Sequence, residues 1–265
     1  DAQESRGLGD VYKRQAVDTD EKTRQKILFT TEQMIDALSP SNFIATNPEV
    51  LENIISTQGQ SIQKGIANLL GDMKKGKVSQ TDESAFEVGK NIATTEGHVV
   101  FRNELFELIQ YTPLTETVFE RPYLMVPPCI NKYYILDLQP DNSVVRHMVA
   151  QGHTVFLVSW KNPDASMAEV SWDDYVGKGV IKAIDVVKEI GNTKQINILG
   201  FCVGGTLTTS ALAVLAARDE HPAASLTLFT TLLDFTNTGI LDVFIDEGMV
   251  ELREKTIGGK NGKCG

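Results

Sequence analysis

The sequence is short of positive charge. Lysine and arginine number 25 against 35 aspartates and glutamates, a formal net charge of −10. A nucleic-acid binder needs a basic face to displace counterions from phosphate, and a polybasic membrane anchor needs clustered Lys and Arg. Both classes are therefore disfavoured. Long apolar runs are missing too: no stretch reaches the ~18 residues of a transmembrane helix. The N-terminus lacks the apolar segment of a secretory signal, which predicts a cytoplasmic protein. Cysteine is scarce, 3 in the whole chain. In that compartment the count does not suit a disulfide framework, and each cysteine is to be judged as a thiol. What is present is ordinary globular composition, 42% hydrophobic and 23% charged over 265 residues. That is enough chain to bury a large core in one or two domains.

Three regions differ in character. Residues 1–15, DAQESRGLGDVYKRQ, have no periodicity, and ESRGLGDVYKRQ resembles a translated sequencing-library adapter. They are read as a non-native leader and set aside. Residues 16–83 read as a helical N-terminal domain. Ile27, Leu28, Met34, Ile35 and Leu38 recur at helical spacing until Ser39-Pro40 stops them. Asn47 is a good N-cap with Pro48 at the first helical position. Leu51, Ile54, Ile55, Ile62, Ile66, Leu69, Leu70 and Met73 then form one apolar stripe, expected to be core or a partner-helix face. The polar run at 74–84 reads as a linker.

Residues 84–265 alternate strands with helices. Strand candidates are the apolar segment within 122–128, the buried run 153–160, INILG at 196–200 and SLTLFTTLL at 225–233. Helix candidates are 143–151, a stretch capped by Ser171 and stopped by Gly191, and 204–218. Continuous apolar strands separated by helices predict a parallel sheet covered on both faces, because right-handed crossovers must link parallel neighbours.

The most informative segment is INILGFCVGG, residues 196–205. A strand ends at Gly200, then comes Cys202, then Val203 and two glycines opening a helix. This G-x-C-x-G in strand–turn–helix context has the form of a nucleophile elbow with cysteine in place of serine. So tight a turn strains the nucleophile's backbone and leaves no room for side chains two residues either side, which Gly200 and Gly204 remove. Gly205 lets the helix approach the sheet. The geometry lifts the Cys202 sulfur to the carboxyl edge of the sheet, where open α/β sheets bind ligands. The helix N-terminus favours thiolate, and the Val203 N–H is available to an oxyanion. A phosphate-binding loop fits less well, since the segment is not G-x-G-x-x-G and lacks Lys-Ser/Thr.

In MVPPCINKYY, residues 125–134, a strand ends at Pro127-Pro128 and turns through Cys129-Ile130-Asn131. The loop after the third strand of a nucleophile-elbow fold donates the second oxyanion N–H. Proline cannot, so the candidates are the N–H groups of Cys129 and Ile130. Cys129 itself reads as a packed apolar residue, and Cys264 in the Gly-rich tail as incidental.

The acid and histidine of a triad should follow the nucleophile. His221 is the sole histidine after Cys202. It lies beyond a helix of about 15 residues, roughly 22 Å long, at the wrong edge of the sheet. Asp234 follows a strand end on the right edge but has no base to orient. His98, His147 and His153 read as structural. With about five core strands where this fold has eight, the chain is expected to be the front of a longer enzyme: an incomplete α/β-hydrolase fold.

Long blocks then identify the chain, from about residue 21 to 258, as similar to class I polyhydroxyalkanoate synthases: SPSNFIATNPE, SQTDESAFEVGKNIATTEG, VPPCINKYYILDLQP, QGHTVFLVSWKNPDASM, LGFCVGGT and ASLTLFTTLLDFTNTGILDVF. The resemblance implies an acyltransferase that joins (R)-3-hydroxyacyl units from coenzyme A thioesters into polyester. No cofactor or metal is called for. It implies that Cys202 carries the acyl unit and growing chain as thioesters. It also implies that the catalytic aspartate and histidine lie beyond residue 265, leaving this chain inactive alone. The segment before residue 84 then corresponds to a domain linked with granule attachment and dimerisation. The expected partners are the acyl-CoA and polyester, a second copy, and the granule surface with its associated proteins in the cytoplasm.

Two other readings stay open. A thioesterase or depolymerase of the same fold shares the chemistry up to the acyl-enzyme. A non-catalytic granule-binding or assembly module would use only the helices.

Overall fold

The computed structural model describes residues 19–256. The leader at 1–15 and Cys264 therefore lie outside the described residues. Packing divides the chain into two compact units, residues 19–82 with 237–253, and residues 83–236 with 254–256.

The first unit is helical. Helix α1, Glu21–Ala37, starts where the Asp20 carboxylate accepts the Thr23 N–H. Helix α2, Pro48–Ser56, is capped by Asn47 Oδ1, which accepts the Val50 N–H at 3.1 Å. The apolar stripe does not run on one helix as expected. Gln58 and Gly59 both take positive φ, 52° and 84°, and break it before α3, Gln60–Lys75. None of these helices buries a residue, so the stripe is exposed rather than core. It opens as an apolar groove of about 470 Å³ lined by Ile44, Val50, Ile54, Ile62, Ile66 and Leu69. Residues 237–253 join this unit through Phe244, edge-on to Phe29 at 5.1 Å, and through Asp246, paired with Lys26 at 2.9 Å.

The second unit is built on a six-stranded sheet: β1 Gly97–Arg102, β2 Phe106–Tyr111, β3 Tyr123–Val126, β6 Val155–Trp160, β7 Ile196–Phe201 and β8 Ala223–Phe229. Strands β4 Asp137–Gln139 and β5 Asn142–Ser143 form a separate small hairpin. The order across the main sheet is β1-β2-β6-β3-β7-β8. The four strands β6, β3, β7 and β8 run parallel, while β2 is antiparallel to both β1 and β6. The β1–β2 hairpin was not expected from the sequence.

Two buried layers flank the sheet. On one face Leu124, Phe156, Val158, Ile198 and Leu207 pack among the helices that follow β6 and β7. On the other, Met125, Leu157 and Leu199 pack with Val145 and Val149 of α4, Val144–Ala150. Adjacent residues of β3, β6 and β7 thus go to opposite faces, as the pleat requires. After β6 a helical run opens at Trp172–Asp174 with a capping box between Ser171 and Asp174. It passes through a π-helical stretch, Tyr175–Ile181, and continues as α5, Lys182–Ile190. Helix α6, Val203–Ala217, follows β7 directly. Strand β3 lies between β6 and β7, so the chain reverses direction across the sheet there. The carboxyl ends of β3 and β7 form the switch point at which such sheets hold ligands.

Candidate active site

Cys202 stands between the end of β7 and the first residue of α6, with φ 53° and ψ −123°. That is left-handed backbone on a residue with a Cβ, a conformation that costs on the order of 1–3 kcal/mol and persists only where the surroundings enforce it. The enforcement is visible. The Cys202 N–H donates to the Phe229 carbonyl of β8 at 2.8 Å, while the Cys202 carbonyl accepts from Gly205 and Thr206 at 2.9 and 3.2 Å.

The three glycines around it are each required by close approach. A Cβ on Gly200 would stand 2.4 Å from the Gly205 Cα, and one on Gly204 would stand 2.1 Å from the Val126 carbonyl oxygen. A Cβ on Gly205 would meet the Thr231 side chain at 2.1 Å. The segment after β8 is thus seated on the elbow, and the Thr206 hydroxyl fixes it further by donating to the Leu232 carbonyl at 2.9 Å.

The structure brings the second expected element alongside. The Gly204 contact places the start of α6 directly against Val126 and Pro127 at the end of β3. The Asn131 N–H donates to the Pro128 carbonyl at 3.2 Å and closes a turn with Cys129 and Ile130 at its centre. The two central N–H groups take no part in that hydrogen bond. Val203 is the first residue of α6, and the first N–H groups of a helix have no intrahelical acceptor. Val203 therefore opens α6 at its positive end, next to the end of β3. Cys129 is half-buried against the core, and that burial pushes its thiol above the usual range. The Ile130 side chain is exposed.

The histidines are not brought to the site. His153 and His221 precede β6 and β8, at the amino edge of the parallel strands. His153 packs against Phe119 and Tyr123, and His221 sits 3.5 Å from Asp219. His98 is near the start of β1, which the two antiparallel pairings make parallel to β6 and four strands from β7. At about 4.8 Å per strand that is roughly 19 Å away. His147 is on α4. Asp234 is at the carboxyl edge, but its carboxylate accepts the Thr236 N–H and hydroxyl at 2.9 and 2.7 Å, which holds it below the ordinary carboxylate range.

One contact had no sequence signal: the buried Trp160 indole N–H donates to the Pro127 carbonyl at 2.8 Å.

The switch point of the sheet thus carries a strained cysteine at the N-terminus of α6, beside the turn that follows β3. Comparison with known families narrows this. Residues 9–148 match the family described as "Poly-beta-hydroxybutyrate polymerase (PhaC) N-terminus". The chain belongs to this family. Residues 124–262 also match the alpha/beta hydrolase fold, which is the architecture the sheet shows. Among individual relatives of the PhaC family, the chain is 64% identical over 247 residues to the poly(3-hydroxyalkanoate) polymerase subunit PhaC of Cupriavidus necator, covering 93% of this chain and 42% of that protein. It is 45% identical over 240 residues to the poly(3-hydroxyalkanoate) polymerase of Methylorubrum extorquens, covering 89% and 40%. With the PhaC subunit of Rhizobium meliloti it is 42% identical over 241 residues, covering 89% and 39%. The chain thus spans about two fifths of the length of these PhaC proteins.

Proposed function

We propose that the chain supplies the nucleophile half of a polyhydroxyalkanoate synthase, with Cys202 as the residue that takes up the acyl unit. In this reading the Cys202 sulfur attacks the carbonyl carbon of an (R)-3-hydroxyacyl-coenzyme A, a new thioester forms, and the bond to coenzyme A breaks. One thioester replaces another, so the step is nearly balanced in energy. The developing oxyanion is held by the N–H of Val203 and of Cys129 or Ile130. Deprotonation of the thiol, and then of the 3-hydroxyl of the next unit, is general-base work. None of the four histidines stands at the carboxyl end of β7, so the base comes from outside this chain.

The observation that carries the reading is the positive-φ cysteine locked by Gly200, Gly204 and Gly205 in a member of this family. The names of the relatives support a polyester product and so an acyl-CoA substrate. Among the described residues no helix is long and apolar enough to cross a membrane. We place the protein at the surface of cytoplasmic polyester granules, with the exposed groove of α2 and α3 facing a second copy or the granule and its proteins.

The test exposes the chain to (R)-3-hydroxybutyryl-coenzyme A and to its activated S-phenyl thioester, with peptide mapping of the adduct. The expected result is a single acyl group on Cys202 from the activated thioester, without sustained release of coenzyme A from the other. Accumulation of free hydroxy acid would favour a hydrolase of the same fold. Equal labelling of Cys129 and Cys202 would overturn the assignment.

A further inference from the structure

We propose that Trp160 is a positioning residue for the oxyanion side of the Cys202 site, acting through the Pro127 carbonyl. The inference rests on the nucleophilic reading of Cys202 and deepens it.

The argument begins with what the Pro127–Ile130 segment lacks. Its first two residues are prolines, so neither has an N–H by which the backbone could be fixed. The Pro127 carbonyl is the remaining handle at that point, and it is clamped from two sides. On one side stands Gly204, where an added Cβ would come 2.6 Å from the Pro127 oxygen. On the other is the indole of Trp160. A tryptophan has a single side-chain donor, and Trp160 gives it to this oxygen at 2.8 Å in a buried setting.

The indole is itself held in place. Trp160 ends β6, paired in register with Phe106 of β2, and its ring packs against Phe106 at 6.0 Å and Tyr175 at 5.3 Å between centroids. Its far edge fits a slot left by Gly179, where an added Cβ would stand 2.9 Å from two ring atoms. Gly179 lies in the π-helical stretch Tyr175–Ile181. A π-helical insertion in an otherwise α-helical run is often found at functional sites. Here it presents a residue without a side chain to the ring that fixes Pro127. The relay runs from Gly179 to Trp160, to the Pro127 carbonyl, and on to the turn holding the Cys129 and Ile130 amides.

The step affected is acyl transfer. The Cys202 sulfur bonds to the thioester carbon, the carbonyl oxygen takes the negative charge, and on collapse the carbon–sulfur bond to the leaving thiol breaks. The proton lost from Cys202 ends on that leaving thiol. Only the charged intermediate needs the amides in place. Alkylation of the same sulfur by iodoacetamide displaces iodide at a saturated carbon and forms no oxyanion.

The test compares the two reactions in the full chain. Acylation of Cys202 by the S-phenyl thioester of 3-hydroxybutyrate is followed under single-turnover conditions by mass spectrometry, with iodoacetamide alkylation measured in parallel. Trp160→Phe keeps an aromatic ring without the N–H, and a benzothienylalanine at position 160 keeps the full indole shape without it. Both are expected to acylate about ten- to a hundredfold more slowly, below the full cost of deleting an oxyanion donor, while alkylation is unchanged. If Trp160→Phe does not fold, the benzothienyl variant decides alone. Acylation at the parental rate overturns the proposal, as does an equal fall in both reactions, which would mark a purely structural residue. Failure of the parent chain to acylate Cys202 while alkylating normally would overturn the nucleophilic reading itself, before any change at Trp160.

Discussion

Gly204 lies so close to Val126 that a Cβ on it would stand 2.1 Å from the Val126 carbonyl oxygen. The obstacle is backbone at the end of a buried parallel strand, so it cannot swing aside as a flexible side chain can. Gly204→Ala must push α6 away from β3 and is expected to lose about 3 kcal/mol or more in urea denaturation. Gly177 is the control. It is also helical, but an added Cβ there meets nothing within 4 Å. Gly177→Ala is expected to stabilise by about 0.5–1 kcal/mol, through reduced backbone freedom in the unfolded chain.

The strain at Cys202 gives a second expectation. At φ 53° an alanine suffers the same crowding as the cysteine, while glycine does not. Cys202→Gly should therefore be more stable than Cys202→Ala by about 1–2 kcal/mol, opposite to the usual order inside regular structure. Both should lose acylation completely. Equal stability of the two variants would mean that the backbone conformation is not enforced in solution.

The parallel strands and the elbow were legible because each rests on a local signal. The runs 155–160 and 196–200 are apolar apart from Ser159 and Asn197, as strands covered on both faces largely are, and each glycine of the elbow answers a contact the turn makes unavoidable. The caps at Asn47 and Ser171 were legible for the same reason, whereas Ser143, read as part of its helix, caps it instead. The β1–β2 hairpin was not. Strand β1 is an edge strand with mostly exposed residues, and β2 intersperses the half-buried Glu107, Ile109 and Gln110 with its buried residues, so neither reads as a clean alternation. The helical stripe from Leu51 to Met73 showed that a face is apolar, but spacing cannot say what covers it. Trp160 carried no signal at all, because its role depends on a carbonyl 33 residues away.

The capping box at Ser171 gives a pH dependence. The Asp174 carboxylate accepts the Ser171 N–H at 2.9 Å and pairs with Lys178 at 3.0 Å, which lowers its pKa from the ordinary carboxylate value to about 2. A group whose pKa is lower when folded adds stability above its unfolded pKa and loses it as pH falls through the folded one. The contribution is therefore full above about pH 5 and disappears between about pH 4 and 2. The parent and Asp174→Asn should differ in melting temperature at pH 7 and converge as the pH approaches 2. A gap that persists at pH 2 would show that the effect is not ionic.

Ser143 joins two structures with one hydroxyl. Its Oγ accepts the Arg146 N–H at 2.9 Å, capping α4, and donates to Asp137 Oδ1 at 2.7 Å. The same carboxylate oxygen accepts the Thr95 hydroxyl at 2.6 Å, and Asp137 is only 2% exposed. Burial first and the Asp137 charge second push the nearby Tyr111 hydroxyl above its usual range, which marks the region as one where charge is poorly solvated. Ser143→Ala removes a cap and one of two hydroxyl donors to a buried carboxylate. A cap contributes about 1 kcal/mol and a hydrogen bond to a charged group about 1.5–3, so a loss of about 2–4 kcal/mol is expected. Ser143→Thr keeps the hydroxyl and should stay close to the parent. Because Thr95 and Ser143 share one acceptor, the double variant should depart from additivity by about 1 kcal/mol, which a denaturation cycle on the four proteins would measure. Additive losses would mean that Asp137 does not couple them, and that α4 is held at the start of its crossover to β6 by its own cap alone.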